Sequence, residues 1–195
     1  MAGTSNLDDD VLAELARQGS SAAFSVLVKR HQEAVYVIAQ NMFASPHDAV
    51  EVMQQTFLSL HGDPGLERKT ATFGTRLYRI AMKTALARRL RDRCSQPCPL
   101  ESFLPRFDGD GHLVPSTSRW PEPDNSSLER MEVTAVLRQA LEFLDDRTRA
   151  AFILRDVLEL PVDEAATVLE TSSKDIRRRA HRARLMLRGL LDRMV

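Results

Sequence analysis

The chain has 195 residues, with 27 basic and 27 acidic side chains and a formal net charge of zero. Its 43% hydrophobic content is enough for a packed core and argues against wholesale disorder, while 6% aromatics make a β-sandwich or barrel a poor fit. No apolar run reaches the ~18 residues that span a bilayer, the acidic start Met1–Asp10 lacks a secretory pattern, and Cys94 and Cys98 are too few for a disulfide scaffold.

The expectation is a soluble, cytoplasmic, all-α protein without membrane insertion. Val11, Leu12 and Leu15 suggest a short first helix, and Phe24, Leu27, Val28, Val35, Ile38 and Met42 a longer second one that Pro46 terminates. Ala49, Val52, Met53, Phe57 and Leu60 form the apolar face of a third helix, followed by a loop at Gly62, Pro64 and Gly65. Phe73, Leu77, Ile80, Ala81 and Leu90 line a fourth, whose other positions are largely Arg and Lys. Short connections between these helices imply a four-helix bundle.

Six of the nine prolines fall between Cys94 and Ser127, so that stretch cannot be one helix. It reads as a linker (94–127) between helical domains at 1–93 and 128–195. Beyond it, Leu128, Met131, Val136, Leu137, Leu141 and Leu144 make one helix, and Ala151, Phe152, Leu154 and Leu158 another. Pro161 opens a third, through Ala165, Ala166 and Leu169. Ser172 then caps a last helix, with Asp175 three residues on in a capping-box-like pair, and with Ile176, Ala180, Ala183, Leu187 and Leu190 inward. Two short helices meeting at a tight turn, the second opening with small polar and basic residues, have helix-turn-helix character.

The zero net charge conceals two basic stretches. Between residues 68 and 93, nine bases face one acid, Asp92, and between 172 and 193 eight bases face two acids. Such clusters are candidate footprints for a polyanion. No phosphate-binding glycine loop, nucleophile elbow or paired-histidine zinc helix is present. Asp108-Gly109-Asp110-Gly111 lacks the later ligands of a calcium loop, and Cys94, Cys98 and His112 lack an evident fourth partner for zinc. Neither an enzyme nor a cofactor is expected.

Phe24 and Leu27 ahead of Asp48-Ala49, Gln54, Phe57 and Leu58, then Phe73-Gly74-Thr75-Arg76-Leu77-Tyr78-Arg79-Ile80-Ala81, resemble region 2 of bacterial RNA polymerase sigma factors. Ala140-Leu141 through Arg149-Ala150-Ala151-Phe152 and Leu154-Arg155 to His181-Arg182-Ala183-Arg184 resemble region 4. Their order and the length of the linker resemble the extracytoplasmic-function (ECF) group of the sigma-70 family. The resemblance implies a subunit that binds core RNA polymerase and promoter DNA and helps to open it, with an anti-sigma factor as partner. It implies that Asp48, Glu51, Gln54 and Leu58 face the polymerase clamp, and that Arg76, Tyr78, Arg79, Lys83 and Arg88 meet the −10 element. Ser173, Lys174, Arg177 and Arg178 would enter the major groove at the −35 element, with Arg155 and Arg182 on phosphates. Phosphate contacts give salt-dependent affinity, and base-edge contacts give specificity.

Several positions depart from the family pattern. Arg76 stands where a tryptophan is usual, Lys83 where an asparagine is usual and Ala87 where an acid or amide is usual. Gln55 replaces a glutamate and His61 a tryptophan. Glu170 takes the place of a turn glycine, and Ala165 and Ala180 that of larger apolar residues. The competing expectation is a degenerate sigma-like or helix-turn-helix regulator that binds polymerase, DNA or another regulator without initiating transcription.

Overall fold

The computed structural model describes residues 7–61, 71–92 and 136–194, all helices and turns with no strand among them. The linker, its Trp120, Cys94, Cys98, the Asp108–Gly111 run and the loop at Gly62–Gly65 lie outside the described residues.

Local sequence explains where most helices start. Asp8 caps α1 (Asp9–Arg17) by accepting from the Asp10 amide at 2.9 Å, and Ser20 caps α2 (Ser21–Met42) through the Ala23 amide at 3.3 Å. Between them Gly19 takes φ +96°, a left-handed backbone open to glycine at little cost. Pro46 does not terminate α2, which ends four residues earlier. It is the first residue of α3 (Pro46–His61), where its missing N–H costs nothing. Thr72 caps α4 (Phe73–Arg91).

The second unit comprises α5 (residues 136–141), α6 (Asp146–Phe152), α7 (Val162–Val168) and α8 (Ser173–Met194). Asp145 caps α6, which runs into a π-helical turn at Ile153–Val157. α7 closes in a Schellman arrangement: Thr171 N–H bonds Ala166 O at 3.0 Å, and Glu170 adopts φ +51°.

Leu12, Leu27, Ile38, Met42, Phe73, Leu77 and Met82 fill the α1–α4 bundle, each at most 2% exposed. Burying such side chains contributes about 1.5–3 kcal/mol each. Leu90, expected inward, is 67% exposed. The inward stripe at Phe73, Leu77, Ala81 and Ala85 continues to Arg88 and Arg89 at helical spacing, leaving Leu90 on the solvent side. Both guanidinium groups sit about 6 Å from the Phe43 ring, at 6.0 and 5.9 Å, so their stems cover what a leucine would have covered.

The two units are closed against each other, an arrangement that the reading of two domains joined by a linker does not anticipate. Ala150, Ala151, Ile153, Leu154, Ala165, Ala166, Val168 and Ile176 belong to the same continuous core as the bundle. Leu141, Leu144, Met186, Leu187 and Leu190 form a smaller core of the second unit alone. Polar contacts cross the junction at the buried carbonyl end of α2. Met42 O accepts from Arg89 at 2.7 Å and from Arg149 at 2.9 Å, while Arg89 also bonds Asp146 and Arg149 bonds Glu142. Arg149 is fully buried, and burial pushes its guanidinium below its ordinary range despite Glu142. Two of its nitrogens, Nε and Nη2, have no acceptor among the described residues.

Candidate functional site

α8 follows directly from its sequence. Ser172 Oγ accepts from the Asp175 amide at 3.1 Å, and Ile176, Ala180, Ala183, Met186, Leu187 and Leu190 are buried. The capping box is only half made: the Asp175 carboxylate accepts instead from the Thr171 hydroxyl and from Arg178 and Arg179, both at 2.5 Å. Those contacts, Arg179 foremost, pull its carboxyl down to about 2.

The opposite face of α8 is cationic and open. Lys174, Arg177, Arg178, His181, Arg182, Arg184 and Arg188 are all exposed, about one turn apart along the helix. Lys174, Arg177 and Arg182 have no ion-pair partner among the described residues, whereas Arg184 is held by Asp156 at 2.6 Å. His181, Arg184 and Arg188 escaped the sequence-level selection, although helical spacing from Arg177 is enough to find them. Ser173 is less free than the resemblance implies, because its hydroxyl donates to Asp163 on α7 at 2.6 Å and fixes the start of α8 on α7. Arg155 does not join this face. Its guanidinium is half-buried and donates to Leu160 O, closing the turn before α7.

The α4 residues do not form one surface. Arg76 is 12% exposed and pairs with Asp10 of α1 at 2.6 Å. Tyr78 is half-buried, and burial, reinforced by Asp9 and Glu164, raises its phenol above the ordinary value. Arg79 donates to Thr167 O at 3.3 Å, and Lys83 meets Glu170 at 2.7 Å, so both point at the second unit. Arg88 turns toward α3, donating to Asp48 at 2.7 Å and lying 2.8 Å from Glu51.

Of the α3 residues, Asp48 and Glu51 are thus engaged by Arg88 from within the bundle. Together with His47 they could converge on a cation, but the guanidinium already supplies their counter-charge. Gln54 and Leu58 are different. Both are exposed, Leu58 by 69%, and both line an apolar groove of about 670 Å³ with Phe24, Val28, Met53 and Phe57.

A helical bundle with an exposed apolar groove is followed by a helix-turn-helix unit with an open cationic helix, an arrangement suited to a polyanion such as DNA. Residues 27–94 match Sigma-70 region 2, and residues 134–187 match Sigma-70, region 4. The chain is 29% identical over 180 residues to the RNA polymerase sigma-H factor of Pseudomonas aeruginosa, covering 90% of each chain. It is 29% identical over 182 residues to the ECF RNA polymerase sigma-E factor of Escherichia coli K12, covering 91% of each. Among solved structures, CnrH in complex with the cytosolic domain of CnrY superposes with a TM-score of 0.64 at 27% identity, over 94% of this chain and 97% of that one. The fold is also that of RpoE from Bartonella quintana, solved with the anti-sigma factor NepR: TM-score 0.61, 21% identity, over 86% and 96% of the two chains. The chain belongs to the sigma-70 family, in its ECF group: it is a promoter-directing sigma factor of RNA polymerase, not an enzyme.

Proposed function

We propose that α3 and its groove seat core polymerase, that α8 enters the major groove at the −35 element, and that α4 meets and opens the −10 region once it is clear of the second unit. The observation that carries this reading is the open cationic face of α8, with Lys174, Arg177 and Arg182 uncommitted. Arginine at the start of a recognition helix can bind guanine bidentately, and neighbouring cations neutralise phosphates. For polymerase, Gln54 and Leu58 present a polar and an apolar contact on one exposed helix edge. Their neighbours Asp48 and Glu51 stay near enough to contribute if Arg88 releases them.

An anti-sigma partner is part of the proposal, because the Bartonella quintana RpoE was solved with the anti-sigma factor NepR and CnrH with the cytosolic domain of CnrY. Action in the cytoplasm accords with the family, and no helix among the described residues is long and apolar enough to cross a membrane. A second reading, polymerase binding without strand opening, draws support from the internal engagement of Arg76, Arg79, Lys83 and Arg88. Open complexes on promoter DNA separate the two readings.

Capture by purified core polymerase tests the α3 assignment. Leu58→Asp places a charge on a side chain already in solvent, so folding is expected to survive while core affinity falls at least about tenfold. Full retention would remove α3 from the interface.

A further inference from the structure

Arg79 and Lys83 are among the α4 cations assigned above to the −10 region, yet in the closed molecule they face an acidic turn. Lys83 Nζ lies 2.7 Å from Glu170 Oε1, Arg79 Nε is 3.9 Å from the same oxygen, and Arg79 donates to Thr167 O. The second unit meets α4 through α7 with its closing turn and through α6, where Arg89 bonds Asp146. Most cations of α8 face solvent, while the part-buried Arg179 lines the same crevice as Lys83 and Glu170 and is paired with Asp175 and Asp145.

Two further observations make this contact more than an incidental surface pair. Glu170 occupies the left-handed position of the Schellman turn at φ +51°, where a residue with a Cβ is strained and glycine is not. A carboxylate is therefore kept at the one position of the turn where a side chain is disfavoured. The junction itself is not inert, because it buries Arg149 with two guanidinium nitrogens lacking acceptors among the described residues. A buried, incompletely partnered charge is costly, so opening the junction returns that group to water.

We infer that Glu170 is an internal stand-in for a DNA phosphate: its carboxylate occupies Lys83 and Arg79 and adds to the shared core in favouring a closed state that excludes nucleic acid from α4. This inference rests on the proposed role of α4. DNA and the Glu170 turn compete for the same two cations, so whatever separates the units, polymerase included, uncovers them. The pairs are more than half exposed at Lys83 and Glu170, so the latch shifts an equilibrium rather than locking it, about two- to fivefold.

Two measurements on the full-length chain test the latch. In hydrogen exchange, Glu170→Lys sets like charges against each other and should speed exchange of α4 and α7 amides about two- to fivefold. The charge-swapped double variant Lys83→Glu/Glu170→Lys should restore the original rates. Unchanged exchange in Glu170→Lys, or a double variant as open as the single, overturns the latch. The second measurement is binding of a fluorescein-labelled 20-nucleotide oligothymidylate. Glu170→Gln should bind it about two- to fivefold tighter than Glu33→Gln, which removes an equal charge from an exposed site on α2. Equal affinity, or no binding by either, overturns the masking of α4. The exchange arm needs neither polymerase nor promoter, so a chain that fails to initiate can still show the latch, and one without a latch can still initiate.

Discussion

Asp175 illustrates how one side chain sorts the cations around it. Its carboxylate bonds Arg178 and Arg179 at once, leaving Lys174 and Arg177 as the unrestrained bases of the first turns of α8. Because its folded-state carboxyl lies at about 2, below the ~3.9 of an unfolded aspartate, its contribution to stability is complete above pH ~4–5. It disappears as pH falls through about 2. Urea denaturation of the wild type and Asp175→Asn should therefore show a stability gap at pH 5 that narrows toward pH 2; a gap constant over that range contradicts the assignment. At this scale the sequence is readable when partners are close in the chain. Ser172 and its amide partner lie three residues apart, and the cap was evident. Arg88 with Asp48 and Lys83 with Glu170 are 40 and 87 residues apart, and no local pattern announces them.

At the scale of elements, helix positions and most inward faces follow from periodicity and caps. Leu90 is the instructive exception. Hydrophobicity assigned it to the core, but geometry places Arg88 and Arg89 there and leaves the leucine outside, since arginine stems can cover an aromatic ring while their heads find Asp48, Glu51, Asp146 and Met42 O. The helix-turn-helix of α7 and α8 was legible because its signals are local: Pro161 before α7, Ser172 before α8, small residues packed between. Which arginines remain available was not legible, because Arg155 is consumed by Leu160 O and Arg184 by Asp156. Arg177→Ala should cost about 1–3 kcal/mol of affinity for duplex carrying the chain's own −35 element, with little change in thermal stability. Unaltered binding would take Arg177 off the DNA.

At the scale of the whole molecule, the two basic stretches have different fates. Most of the cations on α8 face solvent; of those on α4, Arg76 meets α1, Arg88 meets α3, and Arg79, Lys83 and Arg89 meet the second unit. Charge counted along the chain locates both stretches but cannot foresee that acids elsewhere pair with most of the described cations of α4, which is a property of tertiary packing. The shared core and the contacts of Arg89 with Met42 O and Asp146 keep the units closed. The proposed work at a promoter, with α3 on polymerase, α8 upstream and α4 at the melting point, requires them to separate. Promoter-specific initiation by this chain with purified core polymerase, read as transcript start sites on a library of upstream DNA, tests that account most directly. The account predicts discrete start sites absent with core alone and lost in Arg177→Ala. Polymerase capture with no start sites above the core background would contradict it.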